Sequence, residues 1–441
     1  ISVKEGAILT FSYIGYVALE LPATANMEVR LQENTTMLDE VVVVGYGIQK
    51  KSVVTAAISS VKAEDLGKVA PTRVDNVLRG QVSGVSITQA SGQPGDGSKV
   101  RIRGIGTINN SDPLYVIDGM PVEAGIDYLN PADIESVEVL KDAASAAIYG
   151  TRGANGVILV TTKTGRSGKA SINYNVSYGW QRPWSHRDVL NGEQYMELVR
   201  EMGGSFDTNT TNANTDWQKT VFNNDAPIVN HQLSVSGGSD KGNYFLSFGY
   251  FSQDGIVGGN YGRSNYDRYS VRLNNNYTIF DEQKNRKFIN LLTVGTNLSY
   301  SRMKSVGLNT NSEYSGILGN ALMAPPIYPV IASDADQLLY ASDTNLGKVN
   351  GVKDANGKYY HIFGDATNEI VNPLATLNTP GTHRNEDKFV TNFWAELTLF
   401  KGLKFKSSYG ADFNFWGNDY SSGKYYISRT DKLDEERVSS E

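Results

Sequence analysis

From Ala170 onward one pattern leaves few folds open to this chain: apolar and polar side chains alternate residue by residue, in segment after segment. In "SINYNVSYGW", Ile172, Tyr174, Val176, Tyr178 and Trp180 fall on one side, with Ser171, Asn173, Asn175, Ser177 and Gly179 on the other. The split returns at Tyr244, Leu246, Phe248 and Tyr250, at Tyr269, Val271 and Leu273, and at Leu292, Val294, Leu298 and Tyr300. It continues at Phe393, Ala395, Leu397 and Leu399, and at Leu403, Phe405, Tyr409, Ala411, Phe413 and Phe415. A period of two belongs to strands with one wet and one apolar face. A long series of such strands with aromatic ends is the pattern of a transmembrane β-barrel.

Strands are expected over 171–181, 229–237, 242–252, 266–280, 287–302, 386–400 and 403–415. Their connections alternate: 182–228, 253–265 and 303–385 are long, whereas "GSDK", "DEQKNR" and "KG" are short. Outer-membrane barrels alternate in this way, with long external loops and short periplasmic turns. In "TLFKGLKF", Leu399 and Leu403 both face outward if Phe400, Lys401 and Gly402 form a three-residue loop with Gly402 left-handed. A soluble β-sandwich or propeller is the alternative, and the lack of a repeat of about 40 residues counts against the propeller. Seven strands do not close a barrel around a plug, because plugged transporters use about 22, and an open edge in lipid strands backbone polar groups. Further strands are therefore expected beyond Glu441, in keeping with an internal piece of a longer protein.

Ahead of this region the pattern changes. Residues 2–31 hold short alternating runs, "AILTFSYIGYVALEL" and "MEVRLQE", expected as the closing strands of a small β-sandwich. Residues 34–51 read as a linker carrying the run Val41 to Val44. Within 52–165, "TRVDNVLRGQVSGVSIT" predicts a helix ending near Arg79, a stop at Gly80 and then a strand. "PADIESVEVLKDAASAAIYGTRGANGVILVTTK" predicts a helical turn begun by Pro131, a strand at 136–140, an Ala-rich helix stopped by Gly150 and a strand at 156–162. This is a compact α+β domain.

Composition removes several function classes. With 41 Lys+Arg against 47 Asp+Glu there is no basic field and no cationic stripe, so nucleic acid is not expected as a partner. The absence of Cys excludes thiolate metal and redox sites, and no apolar run approaches the roughly 18 residues of a membrane helix. "GQPGDGSK" places Ser98 before Lys99 with no helix to follow, and "RGIGTIN" lacks the third glycine of a dinucleotide fingerprint. His186, His231, His361 and His383 have no ligand spacing, and Asp431, Asp434, Glu435 and Glu436 read as a solvated loop. No catalytic residue, metal or cofactor is expected, and an enzyme reading has nothing to rest on.

"LDEVVVVGYG", "VRIRGIGTINNSDPLYVIDGMP", "LKDAASAAIYGTRGANGVILVTTKTG" and "NHQLSVSGGSDKGNYFLSFGYFSQDGIV" resemble the SusC-type TonB-dependent outer-membrane transporters (SusC/RagA family) of the Bacteroidetes. The resemblance implies a mainly β protein: the end of a carboxypeptidase-regulatory-like β-sandwich (1–33), a Ton box linker (34–51), an α+β plug domain (52–165) and the first part of a large antiparallel transmembrane β-barrel (166–441). Its intact barrel is expected to have about 22 strands. It also implies TonB-dependent import of a nutrient, an oligosaccharide or a peptide, across a Gram-negative outer membrane. The implied partners are TonB with its ExbB/ExbD energy supply, a SusD-like lipoprotein lid and the outer-membrane lipids.

The Ton box falls on Asp39, Glu40, Val41, Val42, Val43 and Val44, and β-strand addition to TonB needs an extended, β-prone segment with free backbone groups. Gly45 and Gly47 would let the chain hinge after it. Arg101, Arg103 and Arg152 are expected to pair with acids of the barrel wall, or else to be ordinary surface charges. Tyr328, Tyr340, Tyr359 and Tyr360 are expected to stack on sugar rings or to form the lipoprotein docking face. A siderophore or vitamin receptor without a lid, and a surface adhesin, remain the alternatives.

Overall fold

The structure is a computed structural model that describes residues 8–11, 19–22, 29, 41–44, 47–50, 58–62, 73–89, 91–123, 125–206, 212–280, 290–309, 316–342, 351–363, 369–400, 403–428 and 431–441. Near the N-terminus, β1 (Ile8–Phe11) pairs antiparallel with β2 (Leu19–Pro22). The run "MEVRLQE" lies outside the described residues except Val29. A second pair joins β3 (Val41–Val44) to β4 (Gly47–Lys50).

The plug is built on a five-stranded sheet in the order β5 (Ile58–Lys62), β10 (Ile134–Leu140), β11 (Val157–Thr162), β8 (Leu114–Ile117), β9 (Met120–Val122). A separate pair, β6 (Val85–Gln89) with β7 (Ser98–Ile102), packs against it. The helix expected before Gly80 is Val74–Leu78, and Gly80 has a φ of +75°, the left-handed stop that glycine makes without strain. "GQPGDGSK" runs straight into β7, so the glycines turn the chain into a strand and cradle nothing. Val137, Val139, Ile158 and Val160 are essentially fully buried, and they pack with Val74 and Leu78 to form the plug core.

The rest is one antiparallel sheet of eight strands in chain order: β12 (Gly168–Gln181), β13 (Ala226–Ser239), β14 (Gly242–Asp254), β15 (Asn265–Phe280), β16 (Leu291–Val306), β17 (His383–Phe400), β18 (Leu403–Ser422) and β21 (Arg437–Ser440). A small hairpin, β19 (Tyr425–Tyr426) with β20 (Lys432–Leu433), lies between the last two. All seven expected strands are present, and Arg437–Ser440 adds an eighth, just after the acidic loop. Register carries the period of two across the sheet: Tyr174, Leu233, Phe248, Val271, Tyr300, Phe389 and Phe413 form one continuous outward rung. Ile172, Tyr174, Val176, Phe248, Phe393, Phe405 and Phe413 stay exposed on that outer face, which suits lipid and not water.

The turn between β17 and β18 differs from expectation. Phe400 pairs with Leu403, leaving only Lys401 and Gly402 between the strands, and the irregularity falls at Leu399, between Thr398 and Phe400. A two-residue connection with a bulge in the strand restores the same outward register that a three-residue loop would have given. Lys401 and Gly402 lie outside the described residues.

The four long connections, after β12, β14, β16 and β18, share one apolar core. Trp217 and Val221 come from the first, Val257 from the second, Leu308, Ile317, Leu374 and Leu377 from the third, and Ile427 from the fourth. Trp217 Nε1 donates to the Pro325 carbonyl at 3.0 Å, which satisfies the polar tip of the buried indole. These loops thus form a packed cap on one rim of the sheet, the side that the sequence expectation places outside.

Candidate functional site

The plug docks on the inward face of the wall, and register decides which wall residues it meets. One inward rung runs Gln232, Gly249, Ser270, Ser301, Lys388, and the next runs Ser234, Ser247, Arg272, Ser299, Val390, Asp412. Most of the polar contacts that seat the plug come from these two rungs. Gln232 Nε2 donates to Asp133 Oδ1 at 2.7 Å, and Ser247 Oγ donates to Asp133 Oδ2 at 2.9 Å. Ser301 Oγ donates to the Tyr128 carbonyl at 2.8 Å. Lys388 pairs with Asp412, whose other oxygen accepts from the Glu123 N–H at 3.1 Å.

Two plug turns carry this chemistry. Asn130 caps the short helical turn Pro131–Asp133 by accepting from the Ala132 N–H, and its Nδ2 donates outward to Gln232 Oε1. Proline at the first helical position and Asn as cap explain why the chain turns here. The approach is close: a Cβ on Gly249 would stand 2.5 Å from Asn130 Nδ2, so only glycine lets the plug reach the wall. The second turn is Asp118–Gly119 between β8 and β9, where both residues have positive φ, 48° and 83°. Asp-Gly is the preferred pair for this mirror-image hairpin turn.

Asp118 accepts from Thr162 twice, at its N–H (2.9 Å) and its hydroxyl (2.7 Å), and forms a buried ion pair with Arg272 of the wall. Two inward rungs from Arg272, Arg268 is almost fully enclosed, donates to the Asp127 carbonyl at 2.9 Å and lies over the Phe251 ring. Burial pushes the Asp133 carboxyl above the usual carboxylate range, against the opposing pull of Arg272 and the Ser247 hydrogen bond. Asp133 is thus a buried acid whose side-chain hydrogen bonds both come from the wall.

The family described as "TonB-dependent Receptor Plug Domain" matches residues 50–157. The chain is 33% identical to the TonB-dependent receptor SusC of Bacteroides thetaiotaomicron over 97% of its own length and 44% of the relative's. It is 36% identical to the TonB-dependent receptor P3 of Formosa agariphila over 92% of its length and 37% of that protein's. Among solved structures it resembles the RagAB peptide importer in its open-open state, with a TM-score of 0.70 and 27% identity over 87% of this chain and 43% of that one. The chain belongs to the SusC-type TonB-dependent receptors. It is an outer-membrane β-barrel protein that spans less than half the length of these relatives.

Among the described residues the three arginines expected to reach the wall of this SusC-type receptor pair instead within the plug. Arg101 pairs with Asp112, Arg103 with Asp142, and Arg152 with Glu123 at 3.9 Å, all acids of the plug itself. Arg103 and Arg152 are more than half exposed, and such pairs contribute little. The polarity is the reverse of the one expected: the wall supplies the cations Arg268 and Arg272, and the plug supplies Asp118 and Asp133. In the sequence Arg268 and Arg272 look like the wet face of an ordinary strand. The "DG" of "VIDGMP" was the one signal that could have singled out Asp118.

The Ton box is only partly within view, since Asp39 and Glu40 lie outside the described residues. Val41–Val44 is a strand, as its composition requires, but one edge is occupied: Val41 pairs with Lys50 and Val44 with Gly47. Two β-prone tetrapeptides separated by two residues have hairpin spacing, which prevails over a fully extended linker. Among the described residues nothing pairs with the other edge of β3.

Two of the four tyrosines, Tyr340 and Tyr360, are loop core, and Tyr328 and Tyr359 are half-buried against it. Tyr340 and Tyr360 are over nine-tenths buried, and Tyr340 meets Tyr359 edge to face. Tyr328 stacks on Phe363 and lies tilted against His361. Asn378 donates to the Tyr360 hydroxyl at 2.8 Å. Loops this long bury their own aromatics.

Proposed function

We propose that the intact protein is an energy-coupled importer of a nutrient, an oligosaccharide or a peptide, working with a SusD-like surface lipoprotein. The observation that carries this reading is the polar seat of the plug: the carboxylates of Asp118 and Asp133 are satisfied by Arg272, Gln232 and Ser247 of the wall. Hydrogen bonds and ion pairs of this kind exchange for water when the groups are drawn apart, so a pulled plug loses little net free energy per contact. Cargo captured at the cap reaches the plug, and TonB takes Asp39 to Val44 by strand addition at the free edge of β3 or in place of β4. ExbB/ExbD-driven force then draws the plug from its seat.

Likeness to the RagAB peptide importer supports the peptide class, and the oligosaccharide class rests on the family resemblance of the sequence. The test is uptake in cells with Val42→Pro, which removes a backbone donor from the added strand. Growth on the cargo should fail while the barrel remains folded in the membrane. Undiminished uptake would sink TonB coupling through this segment and favour the adhesin reading. Affinity purification of the intact protein from mild detergent should bring down a stoichiometric SusD-like lipoprotein. A barrel recovered alone would favour the lidless siderophore or vitamin receptor.

A further inference from the structure

Two adjacent outward rungs of the wall break the pattern that the rest of the lipid face keeps. One runs Tyr244, Asn275, Thr296, Phe393, Tyr409 across β14 to β18. The next, nearer the short turns, runs Gly242, Tyr277, Val294, Ala395, Ser407. Small and polar side chains replace large apolar ones within both rungs, and aromatic rings flank them. The result is an outward groove of about 960 Å³, floored by Thr296, Val294, Ala395 and Ser407, with exposed tyrosines and Phe393 as its walls. Ser239 and Gly242 of the β13–β14 turn line its lower end, so it opens at the edge of the membrane and not at its middle.

Asn275 and Thr296 are directly paired on β15 and β16, which puts their side chains together in the groove. Among the described residues neither of them, nor Ser407, makes a side-chain hydrogen bond. Facing hydrocarbon, an unpaired amide or hydroxyl is costly, because no water is there to satisfy it. Such groups framed by tyrosines, which settle at headgroup level, match a ligand with an apolar body and oxygen atoms at one end. Lys241, in the turn below, adds a cation. Its N–H donates to Ser239 Oγ at 3.3 Å and its carbonyl accepts from the Thr278 N–H at 2.6 Å. Its side chain is exposed and forms no ion pair with neighbouring Asp240 or with another acid among the described residues.

Strands that complete the barrel extend the sheet in its own plane, whereas this groove lies on the outer face, where β14 to β17 are already paired on both sides. That face is left to lipid. The short turns of an outer-membrane barrel are periplasmic, and the leaflet on that side is made of phospholipid.

We propose that the groove binds one phospholipid of the inner leaflet. Its phosphate lies at Lys241, its glycerol rests on the small floor at Ala395 and Ser407, and its ester oxygens accept from Asn275 and Thr296. The acyl chains continue over Leu273 and Leu298, the paired leucines of the next outward rung.

Native mass spectrometry of the intact protein tests this. The barrel is extracted in mild detergent, stripped of lipid and given back phosphatidylethanolamine, and the molecules that stay on it are counted. One should be retained, and the double variant Asn275→Leu, Thr296→Val should lower retention about tenfold. Ala395→Trp keeps the polar pair but fills the floor, and it should cost as much. Lys241→Ala should lower retention about threefold. Val176→Ala, exposed on the same face but outside the groove, should leave it unchanged. Apolar replacements suit a lipid-facing surface, and heat-modifiable migration checks that each barrel is folded. The proposal is overturned if no phospholipid is retained, or if the groove variants retain as much as the parent. It is also overturned if lipopolysaccharide is held in place of phospholipid, or if what the variants lose is a second copy of the barrel. Retention needs neither cargo nor TonB, so it stands apart from the import reading.

Discussion

Gln93 at the apex of the plug holds both backbone polar groups of Leu308 in the cap. Its side-chain nitrogen donates to the Leu308 carbonyl at 2.7 Å, and its side-chain oxygen accepts from the Leu308 N–H at 2.5 Å. Leu308 is itself part of the cap core with Leu377 and Ile317. The cap is therefore tied to the plug through the amide side chain of Gln93.

Gln93→Ala removes both bonds and leaves two largely enclosed backbone groups unpaired. The expected cost is about 1–3 kcal/mol of local stability. Hydrogen exchange at Leu308 should speed up accordingly, with β13–β16 unchanged. Unaltered protection at Leu308 would mean that cap packing alone holds the segment.

Arg272→Met should unseat the plug far more than Arg103→Ala. Removing one partner of a buried ion pair costs about 3–5 kcal/mol, whereas an exposed pair such as Arg103–Asp142 is worth about 0–1 kcal/mol. Sensitivity of cells to a large antibiotic normally excluded by the outer membrane reports the leak. Equal sensitivity in the two variants would contradict the reversed polarity of the seat.

Gly249→Val places a branched side chain where Asn130 reaches the wall. Something must shift, and overpacking of this kind costs about 1–3 kcal/mol. The Gln232 to Asn130 and Asp133 bonds are the first to go. Proteolysis of the plug in the purified barrel should accelerate, while Gly262→Ala, which meets no neighbouring atom but has a φ of +67°, should leave it unchanged. A Val variant as resistant as the wild type would show that the wall can relax there.

The cap carries a pH dependence through His361. Burial among Tyr328 and Phe363 holds its pKa below the usual histidine value, with Asp336 pulling the other way. The unfolded loop therefore binds protons more readily than the folded one. Stability is intact above about pH 6.5 and is lost as pH falls from there through the depressed folded value. Protection factors across 328–363, taken after correcting for the base-catalysed intrinsic exchange rate, should be lower at about pH 5 than at about pH 7.5, and His361→Gln should flatten the difference. A wild-type cap indifferent to pH would refute this.

Much of the architecture is legible in the residues because it rests on local rules. The period of two, the alternation of long and short connections, the Gly80 stop and the Pro131 start each depend on near neighbours in sequence, and each appears where it was expected. The Ton box strand is legible in part, since "VVVV" dictates a strand but not which edge is used. The seat itself is not legible. Arg272 looks like any lumen-facing residue until Asp118 is brought to it across 154 positions of sequence.

What the sequence by itself determined is thus the strand pattern, the side of each strand that meets lipid, and the family. Only the tertiary structure decided that Arg101 and Arg103 turn back to their own domain, that Tyr340 and Tyr360 are core, and that Gln232, Ser247 and Arg272 hold the plug. The physical reason is range. Periodicity and turn chemistry act over a few residues of chain, whereas the partner of a charge is whichever counter-charge the packed strands bring within hydrogen-bond reach, and no short window contains that information.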